Sequence, residues 1–286
     1  MLTRIITAVI LIAAVLVWLF VAPYDFFTIG ALFIYMVGAY EMGPLLGYKS
    51  RLPFIMVACA AATLAFFFMP PALYISEGIP KACQYLIASG LIVWFGSIPL
   101  LLKFPKSVSW HKNHLLNTIL ALLMLLPFLE GLLVLRASSY GQDAHEGSRL
   151  VLCVMALVWC ADSGAYFAGR FFGKHKMLPN VSPKKTMEGL FGGLVTAVIG
   201  MLVFLKLGYF GQYGDNYVAV IGAGILAIVM SVIGDLVESM FKRLSNIKDS
   251  GRIFPGHGGM LDRIDSQLAA IPVFITFVYL LSGALF

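Results

Sequence analysis

Residues 231–266 read SVIGDLVESMFKRLSNIKDSGRIFPGHGGMLDRIDS, leaving one apolar run (216–236) and leading to another (267–286). Each run has the length of about 20 mostly apolar residues that a helix needs to cross a hydrocarbon core. The stretch joining them gathers eleven ionisable side chains in a chain that is only 12% charged. Asp235, Glu238, Asp249, Asp262 and Asp265 alternate with Lys242, Arg243, Lys248, Arg252 and Arg263, around a turn Pro255-Gly256-His257-Gly258-Gly259. Two membrane helices thus present a dense polar loop at a bilayer face, and the rest of the chain is read as what holds it there.

Composition supports that reading. The 286 residues are 60% hydrophobic, with a mean hydropathy of +0.91, where soluble domains run at about 45–50% apolar and about 25% charged. A net charge of +6 does not call for a nucleic acid, because basic residues on membrane proteins encode orientation. Cys59, Cys83, Cys153 and Cys160 lie in apolar runs without C-x-x-C spacing, and read as small buried hydrophobes. The first apolar run exceeds a signal-peptide core and lacks a good cleavage site, so it is taken as a retained span.

Nine segments qualify as spans: 3–22, 26–47, 53–71, 82–102, 115–135, 149–171, 187–207, 216–236 and 267–286. The second, with Glu41, and the fifth, with Pro127 and Glu130, are the weakest, which keeps an eight-span count open. The fold class is therefore an all-α integral membrane protein with about nine helices in one bundle. We divide it into an N-terminal region, 1–148 (spans 1–5), and a catalytic region, 149–286 (spans 6–9), with loops 172–186 and 237–266. With nine spans, sixteen of the twenty Lys and Arg fall on the side of the N-terminus and only Lys81, Arg136, Arg149 and Lys206 on the other. The positive-inside rule makes the rich side cytoplasmic, and both polar loops lie on it.

Asp162 and Asp235 sit at the ends of apolar runs. A carboxylate at membrane depth is costly unless it is paired or faces water, which makes it a functional candidate; an interhelical salt bridge is the plain alternative. Glu41 and Glu130, each alone and away from any motif, read as structural. Residues three and four apart share a helix face, so Asp235, Glu238, Ser239 and Lys242 form one polar edge, and Asp262, Asp265 and Ser266 another. Two acidic edges suit a hard cation such as magnesium, which takes oxygen ligands and shares one or two carboxylates with substrate phosphates. Asp262 and Asp265 also suit a helix N-terminus electrostatically.

The glycine turn admits close approach of a ligand to the backbone and, ahead of a helix, has amides to offer an anion. Alone it is also an ordinary turn signal, and His257 fits either a packed turn or a phosphate contact. Ser182-Pro183-Lys184-Lys185-Thr186 in the other loop suits a polyphosphate or anionic lipid; the P-loop spacing is absent. Gly169/Gly173 and Gly189/Gly193 have the G-x-x-x-G spacing of close helix packing.

Ser239, Lys242, Arg243, Lys248, Asp249, Gly251, Pro255, His257, Gly258, Gly259, Asp262, Arg263 and Asp265 together resemble the signature S-x-x-K-R, K-D-x-G, P-x-H-G-G-x-x-D-R-x-D of the phosphatidate cytidylyltransferase family. Ala161-Asp162-Ser163-Gly164-Ala165-Tyr166 and the Ser182–Thr186 segment are similar to further family motifs in the expected order. In the first half the similarity rests on hydrophobic layout and length. The resemblance implies transfer of CMP from CTP to phosphatidic acid at the inner (cytoplasmic) membrane, by a magnesium-dependent homodimer with a potassium ion beside the magnesium and no nucleic-acid partner. It implies Asp235 and Asp262 as metal ligands, with Asp265, Lys242, Arg243, Arg263 and His257 joining them in catalysis. Ser182, Lys184, Lys185, Thr186, Asp162, Ser239, Lys248, Asp249, Gly258 and Gly259 are then the substrate-binding set. A transporter or channel using Asp162 and Asp235 is the rival, disfavoured because the acids crowd one face. An enzyme joining CDP-activated lipid to an alcohol is disfavoured because D-G-x-x-A-R is missing.

Overall fold

A computed structural model describes residues 2–106, 108–256 and 258–283, without the side chains of 2–5, 8 and 212. In chain order the helices are α1 (Leu2–Phe20), α2 (Tyr24–Leu45), α3 (Leu52–Phe68), α4 (Ala72–Ser76), α5 (Lys81–Lys103), α6 (His114–Ala137) and α7 (Glu146–Phe172). A hairpin of β1 (Lys176–Leu178) and β2 (Ser182–Thr186) follows, and then α8 (Met187–Lys206), α9 (Tyr217–Leu244) and α10 (Leu261–Ser282). Among the described residues, eight helical segments are long and apolar enough to cross a membrane, α3 and α4 counting as one, and α1 adds the shorter apolar stretch Val9–Phe20. The protein is an all-α membrane bundle of about nine spans.

Side-chain caps set several helix starts by taking amides that have no intrahelical partner. Asn113 accepts from the Leu116 amide, Asn216 from that of Ala219 and Thr186 from that of Gly189. Helices α6 and α10 are the most enclosed of the spans, and every residue from Met124 to Ala137 is buried. Helices α3 and α8 lie at the periphery with large apolar side chains outward, as lipid-facing helices should.

Two close pairs organise the second half of the chain. Helix α7 lies on α8 where Gly169 faces Gly189, and a Cβ on Gly193 would stand 2.6 Å from the Ala161 carbonyl oxygen. Helix α9 lies on α10 with Gly234 against the backbone of Asp265. Small residues of this kind let backbones approach in lipid.

The observed helices overrun the expected spans at the polar stretch. Helix α9 continues to Leu244, beyond the expected 236, and α10 starts at Leu261 where hydropathy alone places the start at 267. Backbone hydrogen bonding is indifferent to hydropathy, and Glu238, Lys242 and Asp262 in these extensions pair with one another. Segment 172–186, expected as a loop, forms the β1–β2 hairpin, with Lys176 opposite Thr186 and Leu178 opposite Ser182.

Candidate active site

The polar ends of α9 and α10 are joined through lysine. Lys242 forms ion pairs with Glu238, one turn before it on α9, and with Asp262 Oδ1 on α10, the latter at 2.5 Å. Lys185 on β2 reaches Asp235 Oδ2 at 2.7 Å, and Ser239 donates to Asp235 Oδ1 at 3.3 Å. Asp265 lies within the electrostatic reach of Asp235, Lys242 and Lys185, and Asp162 on α7 within that of Asp235, Lys185 and Arg263. Four elements therefore bring Asp162, Lys185, Asp235, Glu238, Lys242, Asp262, Arg263 and Asp265 into one network. The Arg243 side chain also donates to the Val181 carbonyl at 3.4 Å, so the hairpin and the polar end of α9 share a face.

The loop before α10 is built around Asp262. Its Oδ2 accepts from the Gly259 amide at 2.8 Å and from the Ser250 amide at 3.0 Å. A tight turn reverses the chain, with the Phe254 amide donating to the Gly258 carbonyl at 3.0 Å. Gly258 takes φ +84°, and a Cβ there would overlap Asp262 Oδ2, so both conformation and space require glycine. In sequence the turn fits either an anion site or an ordinary reversal, and the structure gives no free amide at Gly259. That amide is committed to the chain's own Asp262, because a carboxylate three residues on satisfies it locally.

The structure also separates the two lysines of the Ser182–Thr186 segment. Neighbouring residues of a strand point to opposite faces. Lys185 turns to Asp235 while Lys184 is exposed. Thr186 is buried and caps α8, and Ser182 pairs with Leu178 at the start of the hairpin. Lys248 and Asp249 stand exposed on the loop, and among the described residues no ion pair joins them to the carboxylates. His257 lies outside the described residues. Lys185→Ala is expected to lower kcat/KM for the nucleotide by roughly 10- to 100-fold, the equivalent of a charge-assisted hydrogen bond of about 1.5–3 kcal/mol, and Lys184→Ala by less. Initial rates against nucleotide concentration decide this; equal losses would mean that strand alternation does not set the two roles.

Glu41 stands alone in sequence, away from any motif, but the fold corrects that reading. It is buried, and its Oε2 accepts from Ser250 Oγ at 3.0 Å and from the Leu261 amide at 2.8 Å. Glu130 is not alone either: Tyr74 donates to it at 2.8 Å, deep among α4, α5 and α6. That bond ties a short helix to a central one, which is a structural role.

A cavity of about 490 Å³ opens beside the network. Leu11, Val15 and Trp18 of α1, Phe128 of α6, and Met155 and Trp159 of α7 make its apolar wall. Asp162, Asp262, Arg263 and Asp265 line it as well. One chamber thus offers both an apolar surface and a charged one. Among the described residues no three carboxylate, imidazole or thiol groups converge as a ready cation cage. Instead, Asp235 holds the Lys185 ammonium and Glu238 with Asp262 hold that of Lys242, each ammonium a compact stand-in cation. That donor chemistry fits magnesium, which usually takes one or two carboxylates and completes its shell with water and substrate phosphate.

Comparison with known proteins extends over the first half as well as the signature. A phosphatidate cytidylyltransferase of Haemophilus influenzae is 39% identical over 281 residues, covering 96% of this chain and 98% of its own. One from Pseudomonas aeruginosa is 38% identical over 276 residues, covering 96% of each, and one from Staphylococcus aureus is 44% identical over 132 residues, 46% of this chain and 50% of its own. The cytidylyltransferase family pattern matches residues 2–281. With charged network, helix plan and likeness running the length of the molecule, the chain belongs to the cytidylyltransferase family.

Proposed function

We propose that this chain transfers the CMP group of CTP to phosphatidic acid, giving CDP-diacylglycerol and pyrophosphate, as an enzyme of phospholipid synthesis in the inner (cytoplasmic) membrane. The observation that carries the reading is the chamber lined by Trp18 and Met155 together with Asp162, Arg263 and Asp265. Its apolar wall suits acyl chains and its charged lining an anionic headgroup, and the relatives' activity as phosphatidate cytidylyltransferases supplies the substrates. The basic bias of one face, sixteen of twenty Lys and Arg under the nine-span count, supports a site facing the cytoplasm. The homodimer rests on the likeness to the family alone.

The chemistry joins two anions. A phosphate oxygen of the lipid attacks the α-phosphorus of CTP, the bond from that phosphorus to the β-phosphate oxygen breaks, and pyrophosphate leaves. Such transfer depends mainly on positioning and charge neutralisation. Lys185, Lys242, Arg243 and Arg263 hold phosphate oxygens, and Lys185 and Lys242 exchange their carboxylate partners for them when substrate arrives. Asp235 and Asp262 would hold magnesium, with Asp265 beside them, and the ion when bound supplies charge neutralisation at the reacting phosphates. No side chain need remove a proton, since a phosphate monoester has its second pKa at about 6. The apolar wall excludes water, which would otherwise compete for the α-phosphorus.

Purified protein in detergent, given labelled CTP and phosphatidic acid with magnesium, is expected to form CDP-diacylglycerol and to stop in excess chelator. Absence of that product under any divalent cation would overturn the reading, and turnover persisting in chelator would remove the metal from it.

A further inference from the structure

The signature loop does not hold itself in place. Ser250 donates its amide to Asp262 Oδ2 at 3.0 Å, and its hydroxyl donates to Glu41 Oε2 at 3.0 Å while accepting from the Asp262 amide at 3.3 Å. The same Glu41 oxygen accepts the Leu261 amide at 2.8 Å. Both flanks of the loop close over the Glu41 carboxylate: a Cβ on Gly251 would overlap Oε1, and one on Gly259 would overlap Oε2. Ser250 and Gly259, the residues whose amides hold Asp262 Oδ2, are thus themselves seated on a side chain 220 residues from Leu261 in sequence. Glu41 Oε1 is buried with no hydrogen-bond partner among the described residues. Buried polar atoms are seldom left so, and a neutral, smaller side chain would avoid the problem if filling space were the only task.

We propose that Glu41 is a positioning residue for the transfer reaction: through Ser250 and the loop glycines it aims Asp262, so that Oδ1 faces Lys242 and the substrate phosphates. The inference rests on the proposed function above. It gives the N-terminal half a part in the chemistry, since α2 supplies the seat on which the catalytic loop is set. Glu41 touches neither substrate nor the reacting atoms.

Steady-state kinetics of the full-length protein in detergent, with CTP and phosphatidic acid, test it. Glu41→Ala is expected to lower kcat by roughly 30- to 100-fold with KM for CTP unchanged, because a group misplaced by about 1 Å can cost about 10²-fold. Glu41→Gln keeps an oxygen for Ser250 Oγ and the Leu261 amide, and places its NH2 where Oε1 has no donor to accept, so kcat should return to within severalfold of the parent. Ser250→Ala is expected to lower kcat as well. Combined with Glu41→Ala it should add little further, as residues acting through one chain of contacts are non-additive. If Glu41→Ala does not fold, Ser250→Ala and Glu41→Gln carry the test. A Ser250→Ala kcat equal to the parent's, no rescue by glutamine, additive losses, or a fall expressed in KM for CTP would each overturn it. A parent protein that makes no CDP-diacylglycerol would instead overturn the proposed function, so the two failures are distinguishable.

Discussion

Asp262→Asn is expected to lower turnover by at least about 10²–10³-fold, the range for losing one preorganised electrostatic group at a reacting phosphate or oxyanion, while leaving the protein folded. The geometry separates these effects. Asparagine keeps an oxygen to accept the Gly259 and Ser250 amides that now reach Oδ2 at 2.8 and 3.0 Å, so the turn before α10 stays closed. The other carboxylate oxygen, 2.5 Å from Lys242 Nζ, becomes an NH2 group facing an ammonium. The site then loses the negative charge beside Lys242, which is left with Glu238. Yield, thermal stability in detergent and initial rate, measured together, check the prediction. A folded variant within tenfold of the parent rate would place Asp262 outside the reaction.

That prediction was within reach of the sequence, because Asp262 is marked both by its place in the helix start and by the company of Asp235, Asp265 and Lys242. The spans were legible for the same kind of reason: apolar runs of fixed length have few alternatives in lipid. Other features were not. Glu41 accepts from residues 209 and 220 positions away, a separation that leaves no periodicity to read. The different fates of Lys184 and Lys185 depend on a strand of five residues, too short for alternation to declare itself. The ends of α9 and α10 were misplaced because hydropathy falls where the helices go on. The Lys242–Asp262 pair joins the two extensions across elements, which a single-segment reading does not see.

Gly234 should be nearly as sensitive as the carboxylates, although it has no side chain to contribute. It lies next to Asp235 on α9, and a Cβ there would stand 2.5 Å from the Asp265 carbonyl oxygen and 3.2 Å from Ala269 Cβ. The first obstacle is backbone on a buried helix and cannot swing aside, so even alanine must push α9 and α10 apart at the level of the two aspartates. A displacement of about 1 Å at a positioned group can cost about 10²-fold in rate, and overpacking a tight interface costs about 1–3 kcal/mol of stability. Gly234→Ala is therefore expected to reduce kcat by about 10- to 100-fold, and Gly234→Leu to remove activity with a clear fall in melting temperature. Gly222 supplies the control on the same pair of helices: a Cβ there meets only Leu281 Cδ1, at 3.2 Å, the movable end of a flexible side chain. Gly222→Ala should stay near the parent rate, since that contact can relax and lies at the far end of α9 from Asp235. If the two alanine variants lost activity equally, the helix pair would matter only for overall stability. If Gly234→Ala alone were impaired while the protein stayed folded at the assay temperature, then the approach of α9 to α10 is what sets Asp235 beside Asp265.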